Sequence, residues 1–513
     1  MKSSTIIFRI VVFLIVLCMI GFSVLSVSDI FPDILIEPKW YFSLIFALSI
    51  VSIFAIIRLT SNYCINVEVL LCFFIGSATL ISLVELVIVV LQKIGYFMAY
   101  SDFSIGTFDN NAGLVSFNAL VMSLIAVFLK NKTNIGIMMS IISVIGLLSC
   151  SFSIVLSMSR LGIVCCAICI LYLVGIKKHK ALFLFAVISI SCLLLFVSSI
   201  KQKSTNGRLF ILERTIEMIG EKPISGWGKG GFVANYMTCQ ANYFSKHDDM
   251  ENAMLAGNVH HPLCEYLFFA VNHGIPLTVL MCALFFLFIS YIKRTSHYDG
   301  ILLPFVVVGV LSLFSYPFLY PFTWYCTMFI SFLSIPIVRF KVVHIVCIAV
   351  IPFVVYMYVC EMNNACSLKS MQIDAEHCKF GSVLPKYKKM YIIKENDYRF
   401  LYNYATVLCD AGNYELADKI AKKCSGLLAD YNLCLLKGHI MNKCRNPFGA
   451  IREFQQAHFM CPSKLVPLYE IFLVYKDYGF EEKADSIKNL IVHMPSNEQN
   501  KYAIDIINQL NNY

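Results

Sequence analysis

Charge is scarce in this chain. Only 14% of its 513 residues are charged, against 58% that are hydrophobic, and the mean hydropathy is +0.72. That balance excludes a soluble enzyme and leaves a polytopic membrane protein. Three further absences narrow its chemistry. No Gly-Lys-Ser/Thr follows a glycine run, so there is no phosphate loop for a nucleotide. The seven cysteines after residue 361 include no C-x-x-C pair, which argues against zinc. The same tail has 19 basic and 16 acidic residues, too balanced for a nucleic-acid footprint. If the tail is exported, its odd cysteine count leaves at least one free thiol, and whether Cys366 pairs with Cys378 stays open.

What is present is hydrocarbon. A bilayer core needs roughly 20 apolar residues per helix. The apolar runs predict about 11 spans, near 5–27, 41–60, 68–91, 112–129, 135–156, 161–176, 181–200, 262–292, 301–316, 318–338 and 342–360. The first exceeds a signal-peptide core and more spans follow, so it reads as a retained helix. One set of span ends carries Lys2, Arg9, Arg58, Lys130, Lys132, Lys177, Lys178, Lys180, Lys293, Arg294, Arg339 and Lys341 with a single acid, Asp299. The opposite short loops hold Asp29, Asp33, Glu37, Asp102 and Asp109 against Lys39, Lys93 and Arg160. The positive-inside rule then predicts a cytoplasmic N-terminus, with residues 201–261 and the tail on the other side.

Residues 201–261 form a polar island between spans. Irregular loops beyond about 12–15 residues are uncommon and often functional. The island holds Asn206-Gly207-Arg208, then Gly226-Trp227-Gly228-Lys229-Gly230-Gly231-Phe232, and closes on His260-His261-Pro262. Arg160, in Ser157-Met158-Ser159-Arg160, belongs to the same predicted face, and Arg214 follows Arg208 by six residues. Arginine keeps its charge and grips a phosphate with paired hydrogen bonds, so Arg160, Arg208 and Arg214 are candidates for a lipid-linked pyrophosphate. Snorkelling to headgroups is the alternative. The glycines, Gly228 and Gly230 among them, either let backbone approach a glycan or only make a tight turn.

His260 and His261 are candidates for a general base, with Glu265 four residues beyond His261 to orient the imidazole. His247, Asp248, Asp249 and Glu251 lie nearby without a zinc spacing. Asp109 and Asn110 either touch sugar hydroxyls or cap a helix. Glu85 falls mid-span, where a carboxylate is costly unless paired or protonated. Tyr316, Tyr320 and Trp324, with Pro317 and Pro321, shape a short outer corner of the kind aromatic belts occupy.

In the tail, small residues recur at Ala417, Ala450 and Ala484. A repeat of that length means stacked helical hairpins. Gly438, Ala450, Phe454, Ala457 and Pro462 fall on the small, small, aromatic, small and proline positions of a tetratricopeptide repeat, flanked by degenerate units around Gly412 and Gly479. Such solenoids hold a protein partner on a concave face or simply brace their neighbour. The expected fold is therefore all-α: residues 1–361 as a membrane domain and 362–513 as a solenoid of tetratricopeptide-like repeats.

Taken in order, these residues resemble the O-antigen ligase superfamily, which includes O-antigen polymerases and bacterial protein O-oligosaccharyltransferases. Gly106-Thr107-Phe108-Asp109-Asn110 is similar to that family's Gly-Thr-Phe-x-Asn segment. Ser159-Arg160 resembles its Ser-Arg motif. Arg208 and Pro223–Phe232 resemble the start and glycine motif of its large periplasmic loop. His261 through Leu267, then His273-Gly274-Ile275-Pro276, resemble its His-Asn-x-Tyr-Leu and Glu-x-Gly-x-x-Gly stretch. Here Leu263-Cys264 stand where the family has His-Asn, and Asn272-His273 replace its Glu, so the histidine role passes to His261, with His260 as substitute.

The resemblance implies a GT-C-like glycosyltransferase of the bacterial inner membrane that needs no metal or other cofactor. Its donor would be an undecaprenyl-pyrophosphate-linked glycan, and its acceptor a hydroxyl of lipid A-core or protein. Arg160 and Arg208 would hold the pyrophosphate while His261 activates the acceptor. A polymerase of the same superfamily is one alternative. A transporter or scaffold with a docking solenoid is the other, although intramembrane charge beyond Glu85 is sparse for a transporter.

Overall fold

The computed structural model describes residues 2–60, 67–100, 104–131, 136–175, 202–295, 300–334, 341–494 and 501–512. The expected span at 181–200, the end of that at 318–338, and Asp102, Lys132, Lys177, Lys178, Lys180, Asp299 and Arg339 lie outside the described residues. Those described form 22 α-helices and no strand, as the apolar and small-residue patterning requires. The chain divides into two compact units, residues 1–200 with 282–369, and residues 201–281 with 370–513.

The first unit opens with α1 (Lys2–Leu25), α2 (Glu37–Thr60), α3 (Val67–Lys93), α4 (Asn111–Asn131), α5 (Ile137–Leu156) and α6 (Arg160–Val174). Helix α4 is its axis. It is apolar all round and buried from Gly113 to Phe128, because α3, α5 and α6 pack about it. The chain then enters the second unit through α7 (Gln202–Glu221), α8 (Gly231–Phe244), the short α9 (Met250–Ala253) and α10 (Glu265–His273).

It returns to the first unit along α11 (Ile275–Thr295), followed by α12 (Leu303–Phe314), α13 (Pro321–Ser334) and α14 (Lys341–Glu376). Among the described residues, six helices are long and apolar enough to cross a membrane, at Ile7–Leu25, Glu68–Lys93, Asn111–Asn131, Ile137–Leu156, Ile275–Arg294 and Ile348–Glu376. The 160–174 and 303–314 helices are apolar but shorter. Helix α11 leaves Val279, Phe286 and Leu287 more than 60% exposed, a pattern suited to lipid and not to water. The run expected as one span over 262–292 is two helices: Gly274, at φ +83°, caps α10 and separates it from α11.

Helices α15 (Phe380–Lys394), α16 (Tyr398–Asp410), α17 (Tyr414–Ser425), α18 (Tyr431–Lys443), α19 (Pro447–Met460), α20 (Val466–Asp477), α21 (Glu481–His493) and α22 (Lys501–Asn512) complete the second unit. From α15 to α21 each helix packs on the next. The recurring Ala417, Ala450 and Ala484 are fully buried. Gly438 on α18 is small because Phe454 of α19 lies against it; a Cβ there would sit 2.3 Å from the ring. Helices α18 and α19 also share one core with the segment that precedes the returning helix. Phe232, Tyr236, Met237 and Val271 pack with Ala429, Tyr431, Ala457 and Met460. Gln240 fixes the joint, its amide donating to the Met460 and Gly257 carbonyls at 2.6 and 3.1 Å.

Candidate functional site

In the first unit, Arg160 is half-buried at the first turn of α6. The chain turns sharply to place it there. Ser157 caps α5, Met158 takes φ +50°, and the Ser159 hydroxyl accepts the Gly162 amide at 3.3 Å. A non-glycine residue in the left-handed region is strained, and such strain gathers at functional turns.

The Gly106–Asn110 segment forms a buried polar knot in the same unit. The Thr107 amide and hydroxyl donate to Glu85 at 2.7 and 3.1 Å, which explains how a mid-span carboxylate is tolerated. Tyr320 donates to Asp109 at 2.7 Å, and Asn110 donates to Tyr316 at 2.5 Å while its own side-chain carbonyl accepts the Ala112 amide at 2.7 Å. Asn110 therefore caps α4. Burial pushes the Asp109 carboxyl above its usual range, against the lowering effect of the Tyr320 bond.

In the second unit, α7 turns its two arginines different ways. Arg214 is 9% exposed, paired with Glu217 at 2.9 Å and stacked 4.1 Å from the Tyr243 ring. Its charge is committed to packing α7 on α8. Arg208 is exposed, and Leu209, Leu212 and Ile216 are exposed beside it.

The glycine motif is a clasp. Trp227 and Gly228 donate their amides to the Val271 and Asn272 carbonyls at 2.8 and 2.9 Å. The Asn272 side chain, 5% exposed, accepts the Phe232 amide at 3.1 Å, and Ile275 donates to the Pro223 carbonyl at 2.7 Å. Gly226 and Gly274 are the close contacts of this clasp. Gly228 and Gly230 also have positive φ, but a Cβ on either would meet nothing within 4 Å, so the backbone around them stays open to approach.

The histidine pair follows. His261 accepts the Leu263 amide at Nδ1, 3.0 Å away, and stacks on Phe268 with 4.6 Å between centroids. In the neutral ring this puts the proton on Nε2, which faces Glu265 Oε2 at 3.9 Å, an electrostatic contact longer than a hydrogen bond. Leu263 itself takes φ +58°. His260, half exposed, turns Nε2 toward Asp430 of the tail at 3.4 Å. No group of His, Cys, Asp and Glu among the described residues is arranged to hold a metal ion.

Residues 144–282 match the family model described as O-antigen ligase. Over this segment, about a quarter of the chain, the sequence is similar to the O-antigen ligase superfamily. Members of that family are glycosyltransferase-like enzymes, and the apolar helices of this chain agree with a multi-pass membrane protein. No curated protein matches the chain.

The O-antigen ligase match begins on α5, ends on α11, and contains two of the four non-glycine residues with positive φ among the described residues, Met158 and Leu263. It also contains every candidate arginine and histidine. Arg160 lies in the first unit, and Arg208, Arg214, His260, His261 and Glu265 in the second. Sequence reasoning passes over Asn272, visible only as a replacement for Glu, and Asp430, far along the chain. The one available sign of Asp430 is its position just before a helix, which signals a cap and not a histidine partner.

Proposed function

We propose that this chain transfers a glycan from a lipid-linked pyrophosphate donor to a hydroxyl acceptor at the membrane face. The donor expected is undecaprenyl-pyrophosphate-linked, and the acceptor lipid A-core or protein. The observation that carries the reading is the outward face of α7. Arg208 stands there beside Leu209, Leu212 and Ile216, exposed apolar residues spaced along one helical stripe. A cation next to a hydrocarbon stripe suits an amphiphile with a phosphate head.

In the step proposed, the acceptor oxygen attacks the anomeric carbon and the bond from that carbon to the pyrophosphate breaks. The pyrophosphate leaves with the bonding pair, and Arg208 stabilises its charge, a role that the family resemblance implies for Arg160 as well. The hydroxyl proton goes to His261. Its Nδ1 carries the lone pair, now occupied by the Leu263 amide, which the acceptor hydroxyl would displace. Glu265 orients the opposite nitrogen, a division of labour familiar from carboxylate–histidine pairs.

The test is transfer in proteoliposomes with an undecaprenyl-pyrophosphate-linked oligosaccharide and three acceptors: lipid A-core, a serine-containing peptide, and a second donor molecule. Arg208→Ala and His261→Gln should each abolish product while the protein still inserts. Normal transfer by both variants would overturn the site. Product on the second donor alone would make the chain a polymerase.

A further inference from the structure

Asp430 is 7% exposed and caps α18, where Oδ1 accepts the Asn432 and Leu433 amides at 2.7 and 3.1 Å. A helix cap needs one side-chain oxygen, and serine or asparagine would supply it. The second oxygen does something else. Oδ2 accepts the Asn258 side-chain amide at 2.6 Å and faces His260 Nε2 at 3.4 Å. The neighbours of Asp430 join the same contact: Ala429 donates to the Val233 carbonyl at 2.9 Å, and the Tyr431 amide donates to the Asn258 side-chain oxygen at 3.5 Å. Burial alone would raise this carboxyl, but the hydrogen bonds from His260, Asn258 and the Leu433 amide hold it below its usual range, so it is an anion.

We propose that Asp430 is a positioning residue for the histidine pair, fixing residues 258–261 against α18 so that His261 meets the acceptor. The proposal rests on His261 being the base. Residues 260 and 261 are consecutive, so a displacement of His260 carries His261 with it. A shift of about 1 Å in a reacting group can lower turnover by roughly 100-fold. The carboxylate that sets the site therefore comes from the tail, a role distinct from any partner the tail holds.

The test uses the full chain in proteoliposomes with the undecaprenyl-pyrophosphate-linked donor and whichever of the three acceptors the wild type glycosylates. Asp430→Asn keeps an oxygen for the cap and loses the anion. It should lower kcat per folded molecule by about 10- to 100-fold with donor KM unchanged, while the lost Asn258 acceptor lowers the melting midpoint separately. His260→Gln should have the same effect on kcat, and the double variant should be no worse than either single one, as expected of residues acting as a pair. If Asp430→Asn keeps wild-type kcat per folded molecule while His261→Gln is inactive, the positioning role is wrong and the proposed function stands. Multiplicative loss in the double variant would also overturn the positioning role. Transfer by His261→Gln would instead overturn the proposed function.

Discussion

Gly226 and Gly274 meet backbone to backbone. A Cβ on Gly226 would lie 2.6 Å from the Gly274 nitrogen, and one on Gly274 would lie 2.0 Å from the Ile224 carbonyl oxygen. Both residues also have positive φ, +65° and +83°. Alanine at either should cost roughly 1–3 kcal/mol in backbone strain, before any clash is counted. Thermal melting of the detergent-solubilised protein reads this directly. Gly228→Ala meets no neighbour and should cost less, a contrast that separates packing from conformation.

Asn272 holds the other half of the clasp. Replacing it by alanine leaves the buried Phe232 amide without its acceptor, a loss of about 1–3 kcal/mol. Asn272→Asp keeps an acceptor oxygen and should be milder. Limited proteolysis between residues 221 and 231 distinguishes the two, with faster cutting expected for the alanine variant.

Much of this is legible in the chain, though not its use. The order of motifs from Ser159 to Gly274 carries the resemblance that the family model finds at 144–282, and the all-helical fold is legible because apolar runs and small-residue spacing report local periodicity. The glycine motif suggests close approach, and close approach is what it makes, to the 272–275 backbone as well as leaving Gly228 and Gly230 open. Arg214 looks equal to Arg208 in the sequence. Only the packing of Tyr243 and Glu217 around it distinguishes them. Asp430 is invisible there because its partners, Asn258 and His260, are distant in the chain, and spacing reports neighbours on one helix only.

His458 makes the second unit acid-sensitive. Burial holds its imidazole down at about 4, and its Nδ1 has no hydrogen-bond partner among the described residues. An unfolded histidine titrates near 6.5, so the unfolded chain takes up the proton first. Stability present above pH 6.5 is therefore lost as the pH falls toward 4, by up to about 3 kcal/mol. His458→Leu should flatten the dependence. Melting midpoints at pH 7 and pH 4.5 for both proteins check it, and an equal drop in each would refute the assignment.

A chain ending at residue 369 would strand Phe232, Tyr236 and Met237, whose core is completed by Ala429, Tyr431, Ala457 and Met460. Such a truncation should lose transfer and gain protease sensitivity over 202–273. Adding the tail as a separate polypeptide tests whether the halves recombine.

That shared core also sets an order of events in time. Residues 201–281 are made well before residues 429–461, and at ~5–20 residues per second the earlier segment waits several seconds or longer for its packing partner. Until then its apolar face is a natural client for a chaperone, and a chain cut short within α17 would carry the histidine pair but not Asp430, the carboxylate that His260 faces.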